Sequence, residues 1–208
     1  MNNKFDEKAV EKAISDLLVA VGEDIDREGL KDTPHRVMKY WRELLEGQQY
    51  TNAEIAEKFK KDFHVSYDSM VIKECENIFS HCEHHLALMF NGTVYVAYIP
   101  NYWNGKDSSD GYRVIGLSKI PRIVDMCSKR LQLQEKLCAD IAECIQLATG
   151  STQVYVRCIM DHGCVSARGS KSSGKTDVTY ITNELRNNVE ARKEIEGKVQ
   201  ELHLSSKR

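Results

Sequence analysis

No stretch of this chain approaches the roughly 18 to 20 consecutive apolar residues of a membrane span, and residues 1–6 lack the apolar segment of a secretory signal. The expectation is a cytoplasmic protein with no membrane partner. Neither charge is in excess, since Lys plus Arg number 29 and Asp plus Glu 31, for a net charge of −2. Bulk electrostatics therefore argues against nucleic acid as a partner, and any anionic ligand must be held by a local cluster. Internal repeats and low-complexity tracts are missing too, which excludes a solenoid. Nor is there an even, loop-framing set of cysteines. The seven that occur are scattered through helical and strand-like segments, the pattern of a reduced compartment, so thiolate metal ligation is a better reading than disulfides.

What is present fits an ordinary folded domain: 208 residues, 41% hydrophobic and 29% charged. That length supports one sizeable core with a helical annex, read here as a helical region over 1–68 and a catalytic region over 69–208 within a single structural unit. Helical spacing runs over 6–21, stopped by Gly22, and over 33–47, where Thr33 is placed as N-cap and Pro34 in the first turn. A short third helix is expected over 52–63. The period then changes. Residues 70–75, 86–90 and 93–99 read as strands, with Asn91-Gly92 as a hairpin turn, and 101–112 reads as a long surface loop. Helices are expected over 118–130, 134–149 and 187–202, with strands over 153–160, 165–167 and 177–181. Helices, strands, helices, strands and a helix around an antiparallel sheet make the class α+β.

The densest chemistry lies in Ser80-His81-Cys82-Glu83-His84-His85. A Cys-x-x-His pair can place a thiolate and an imidazole on one metal if a turn or bulge at a strand end brings them together. About 80 residues on, Asp161-His162-Gly163-Cys164 offers another thiolate and imidazole. Cys82, His85 and Cys164 would make a Cys₂His set with an open fourth position, the arrangement of catalytic zinc. Two alternatives stand beside it: a closed four-ligand site that adds His162 or His84, and plain buried cysteines with no metal at all.

Six further features point one way. Asp32-Thr33-Pro34-His35-Arg36, Cys82-Glu83-His84-His85, Ala97-Tyr98-Ile99-Pro100, Gly116-Leu117-Ser118-Lys119-Ile120-x-Arg122, Gln132-x-Gln134-Glu135-Lys136-Leu137, and His162-x-Cys164 with Ala167-Arg168-Gly169 occur in one order. In that order, over roughly residues 8 to 195, the chain resembles the GTP cyclohydrolase I family.

The resemblance implies the tunnelling fold, a homodecamer of two face-to-face pentamers with active sites shared between subunits, and conversion of GTP and water to formate and 7,8-dihydroneopterin triphosphate. It implies Zn2+ on Cys82, His85 and Cys164, proton handling by His84 and His162, and guanine recognition by Glu135 with Gln134 beside it. Lys119, Arg122 and Arg168 match triphosphate contacts, and Arg36 and Lys39 match contacts supplied by an adjacent subunit. Ser118 and Gln134 join the catalytic set, with capping of its helix or contact with the ligand's sugar both open for Ser118. Readings that compete with it are a related cyclohydrolase that stops at a ring-opened product or takes another purine nucleotide, a deazaguanine nitrile reductase of the same fold, and a non-catalytic zinc-stabilised binding subunit. The chain departs from the family pattern at Leu86-Ala87-Leu88-Met89-Phe90, which lacks a proline, and in the length of loop 101–112, expected to govern access or assembly.

Overall fold

A computed structural model of the chain describes residues 5–66, 68–103 and 111–206. Helix α1 (Glu7–Ala20) starts where the Asp6 carboxylate accepts from Ala9 N–H at 3.0 Å and is followed by Gly22 at φ +89°. Helix α2 (Thr33–Leu44) takes Asp32, not Thr33, as its N-cap residue, so Pro34 falls within the first turn. A 3-10 turn (Glu46–Gln49) leads to α3 (Asn52–Phe59), which Thr51 and Glu54 open with a reciprocal capping box. That helix is shorter than the spacing over 52–63 suggested, because Asp62–Val65 is strand β1.

The main sheet runs in the order β6-β2-β3-β7-β8, antiparallel except where β6 (Leu131–Gln132) meets β2 (Val71–Cys82) in parallel. Its other strands are β3 (Leu88–Tyr98), β7 (Val154–His162) and β8 (Thr176–Ile181). Helices α4 (Lys119–Ser128) and α5 (Gln134–Thr149), the second ended by Gly150 at φ +74°, cover one face with α3. The short α6 (Gly163–Ser166) and α7 (Asn183–Asn187) precede α8 (Val189–Ser205), which covers the other face through Ile195 and Val199. Val94, Val96 and Tyr98 of β3 join the first cluster and Tyr95 and Ala97 the second, all at 0% exposure. A strand covered on both faces reads as a continuous apolar run, and each of its two buried valines contributes about 1.5–3 kcal/mol by leaving water.

Several expectations change at this level. Asn91-Gly92 is not the hairpin turn: β3 passes straight through it, with a register shift between Phe90 and Thr93 and Asn91 at φ +50°. The left-handed residue that a turn would need serves a β-bulge instead. A Cβ on Gly92 would lie 2.4 Å from the Ile78 carbonyl oxygen, so only glycine lets the strands close there. The strand expected over 165–167 is replaced by α6. Within 101–112, Tyr102–Trp103 is β4 and Gly111 opens β5 (Gly111–Ile115), and these form a second sheet in the order β1-β5-β4. Residues 104–110 of that expected loop lie outside the described residues. Among the described residues no helix is long and apolar enough to cross a membrane.

One buried polar network fastens the N-terminal segments to the sheet. The Asp140 carboxylate on α5 accepts from Arg130 Nη1 at 3.0 Å, Gln132 Nε2 at 3.1 Å, Lys136 Nζ at 2.5 Å and Asn52 Nδ2 at 3.2 Å. Arg130 also donates to the Gly47 and Tyr50 carbonyls at 3.0 and 2.8 Å and to Asn52 Oδ1 at 2.7 Å. Every guanidinium nitrogen thus has an acceptor, the condition for burying that charge.

Candidate metal centre

Cys82 is the last residue of β2, and the chain turns at once through residues 83–87 into β3. The hairpin turn is therefore the Cys-Glu-His-His motif itself. Cys82 N–H donates to the Ala87 carbonyl and Leu86 N–H to the Cys82 carbonyl, both at 2.9 Å. Leu86 sits at φ +53°, a conformation that costs a side chain with a Cβ about 1–2 kcal/mol. From outside, Glu83 N–H donates to the Gln132 carbonyl at 3.2 Å, continuing the pairing of β6 with His81 and Cys82.

This bend sets His85 Nδ1 3.9 Å from Cys82 Sγ. The third group comes from the end of β7, where α6 starts and Cys164 falls in its single turn. Ligand atoms of Cys82, His85 and Cys164 all lie within 4.8 Å of one another. A tetrahedral ion with bonds of about 2.3 Å to sulfur and about 2.0 Å to nitrogen separates its S and N ligands by about 3.6 Å, so the residues present fit zinc in both chemistry and spacing. Burial, and then the neighbouring Cys82 thiol, push the Cys164 thiol up. Binding a cation there would expel protons.

His162, the last residue of β7, stands half-buried beside this cluster with Nε2 2.6 Å from Gln134 Oε1. Gln134 is buried and spends both amide N–H groups on backbone carbonyls, those of Cys158 at 2.7 Å and Thr176 at 3.1 Å. Its oxygen can only accept. Hence His162 Nε2 carries the hydrogen, and Nδ1 is the nitrogen left for chemistry. Burial lowers the pKa of His162, opposed by the charges of Glu135 and Asp161. Gln134 thus fixes a histidine and has no donor to spare for a ligand.

His84 is exposed, edge-on to His85 with ring centroids 6.2 Å apart. Glu135 is exposed in the first turn of α5, close enough for its charge to act on His162, and Arg168 likewise acts on Cys164. Ser118 precedes α4 without a side-chain capping bond, and Lys119 and Arg122 follow on the same helix. Arg36 and Lys39 are exposed on α2, Arg36 lying 3.4 Å from Asp32. Among the described residues, no hydrogen bond or ion pair joins these α2 and α4 side chains to the Cys-His-Cys cluster.

His81, which precedes Cys82, has no role assigned by the motif. It is buried, its Nε2 3.2 Å from Tyr40 Oη and its ring 4.8 Å from that of Trp41, and burial lowers its pKa. Helix α2 is docked onto the ligand turn through these three rings. Only the aromatic pair Tyr40-Trp41 on a helix face hinted at this.

The family profile described as GTP cyclohydrolase I matches residues 10–200. A GTP cyclohydrolase 1 of Clostridium acetobutylicum is 48% identical over 180 residues, which cover 84% of this chain and 87% of that protein. One of Clostridium beijerinckii is 45% identical over 195 residues, covering 90% of this chain and 94% of that protein. Among solved structures, the archaeosine synthase QueF-Like in its apo form aligns over 57% of this chain and 95% of that one, with 17% identity and a TM-score of 0.40, a likeness that carries no argument.

Proposed function

Since the chain belongs to the GTP cyclohydrolase I family, we propose that it is a hydrolase that opens the purine ring of GTP, releases formate and forms 7,8-dihydroneopterin triphosphate. The observation that carries this reading is the convergence of three ligand atoms within 4.8 Å beside a histidine whose tautomer is fixed by Gln134. Cys82, His85 and Cys164 would hold a zinc ion, which when bound supplies acidification of a coordinated water to a pKa of about 7.

The remaining work falls to the chain's own side chains. His162 exchanges a proton at Nδ1 while Gln134 keeps Nε2 protonated, and exposed His84 is the second group within reach of the same turn. The Glu135 carboxylate accepts from the paired N–H donors of the guanine edge. Lys119, Arg122 and Arg168 hold the triphosphate of one subunit's ligand, with Ser118 beside them and with Arg36 and Lys39 contributed by a neighbour. Support for sharing comes from α2, where Arg36 and Lys39 make no hydrogen bond or ion pair with the cluster of their own chain among the described residues, and from the end of α1, where Leu17 and the following Val21 are 56% and 66% exposed on one side. A homodecamer of the tunnelling fold would cover that face. All seven cysteines are free thiols, which suits a cytoplasmic setting.

The test is incubation of zinc-loaded protein with GTP, following formate and the fluorescence of the oxidised pterin. Both signals are expected. Formate without pterin would mean a reaction stopping at the opened ring, and neither signal would refute the proposal.

A further inference from the structure

Between Cys164 and β8 the chain carries Arg168, Lys171 and Lys175 and no acidic residue, in a protein whose net charge is −2. The first acid beyond, Asp177, is already held by Arg157, whose Nε and Nη2 donate to it at 3.0 and 2.6 Å. Both lysines are exposed, and neither has an ion-pair partner among the described residues. Positive charge is therefore concentrated here and left unneutralised.

Both ends of the loop lie at the candidate site. At its start the chain leaves the single turn of α6 that carries Cys164, with Ala167 N–H donating to the Gly163 carbonyl at 3.0 Å. At its end, the Thr176 carbonyl accepts at 3.1 Å from Gln134 Nε2, the side chain that also fixes His162. The loop accordingly arches from the metal ligands on one side to the His162 support on the other. Gly169, Lys171 and Gly174 adopt φ of +61°, +48° and +151°, and left-handed residues of this kind let neighbouring N–H groups converge on an anion.

Residues 169–176 read G-S-K-S-S-G-K-T, which matches the G-x-x-x-x-G-K-T pattern of loops that cradle polyphosphates. That pattern needs a helix after its threonine, whereas Thr176 here opens strand β8. The loop does not run into a helix of its own, so the lysines must supply the attraction.

We propose that residues 169–175 form a phosphate-binding loop in which Lys171 and Lys175 engage the triphosphate tail of the nucleotide, extending the contact made by Arg168. This rests on reading the site as one that binds GTP. It makes the loop the part of the site that separates a nucleoside triphosphate from a diphosphate or a nucleoside.

The test compares zinc-loaded wild type, the Lys171→Ala/Lys175→Ala pair, the Lys171→Arg/Lys175→Arg pair and Lys193→Ala, a control on α8, at low and high salt. Inorganic tripolyphosphate serves as competitor. An exposed charge contact is worth about two- to fivefold in affinity, so the alanine pair should raise KM for GTP and Ki for tripolyphosphate by about tenfold at low salt, and by less at high salt. Turnover and zinc content should stay unchanged, and the arginine pair should behave as wild type. Constants unmoved in the alanine pair, an equal shift in Lys193→Ala, or no rescue by arginine would overturn the proposal. If the wild type does not turn over GTP, the reading of the site fails by itself. Calorimetric binding of tripolyphosphate to wild type and to the alanine pair then decides the loop, equal affinities overturning it.

Discussion

Replacing Asp140 by alanine tests whether the network behind the ligand turn holds the fold together. The Asp140 and Arg130 side chains are 8% and 10% exposed, so the substitution strands a buried guanidinium rather than a surface charge. Removing one partner of a buried pair costs about 3–5 kcal/mol. Arg130 keeps the Gly47 and Tyr50 carbonyls and Asn52 Oδ1, and Lys136, 56% exposed, can turn to water. The lower end, about 3 kcal/mol, is therefore expected, which for a chain of this size lowers the unfolding temperature by about 6 to 12 °C. Differential scanning calorimetry on the zinc-loaded proteins measures it. The sign with pH is fixed as well. Burial raises the Asp140 pKa, but hydrogen bonds from Lys136, Gln132 and Asn52, with the Lys136 charge, lower it on balance. A depressed folded pKa stabilises above the unfolded value of about 3.9 and is lost as pH falls through the folded one. Wild type should then lead Asp140→Asn by a constant margin from pH 7 to 5 and lose that lead below about pH 4. An Asp140→Ala melting point within about 2 °C of wild type, or a margin indifferent to acid, would refute the reasoning.

Cys164→Ala should lose zinc and turnover together by elemental analysis and assay, whereas Cys127→Ala, buried between α4 and α5, should keep both. His162→Ala should retain zinc and lose at least about 100-fold in turnover. Gln134→Leu, which removes the group fixing His162 Nε2, should also retain zinc and lose about 10- to 100-fold. Full activity in Gln134→Leu would show that the tautomer needs no fixing. Gly92→Ala forces a Cβ to within 2.4 Å of the Ile78 carbonyl oxygen and should cost about 1–3 kcal/mol, read as a lower urea midpoint at unchanged slope.

Elements whose character is local were legible in the letters. Helix α5 has the bounds that its spacing and Gly150 suggested, and the second half of β3, residues 94–98, announced itself as an unbroken apolar run because both its faces are covered. The β2–β3 turn was legible only as the condition for Cys82 and His85 to meet, because Glu83, His84 and His85 are not turn formers and Leu86 bears the left-handed conformation that glycine usually takes. Asn91-Gly92 carried a true signal for a left-handed residue. Whether that residue makes a turn or a bulge depends on the pairing of β3 with its neighbours, which no short segment encodes. At the site, Cys82, His85 and Cys164 were legible because ligand chemistry limits the residue types. The service of Gln134 to His162 was not, since it depends on carbonyls of Cys158 and Thr176 in distant strands.

The three candidate ligands lie at or just beyond the ends of β2 and β7, the two strands that flank β3. In the unfolded chain Cys164 is about 80 residues from the other two, and closing a loop of that length costs about 4 kcal/mol of chain entropy. A metal bound only by the folded chain therefore acts as a cross-link on the sheet, each tenfold of free ion above its dissociation constant adding about 1.4 kcal/mol to stability. Chelation should consequently be felt as susceptibility of the β2–β3 turn and α6 to proteases as well as lost turnover, and a metal-starved cell would hold less of this protein rather than an idle pool of it.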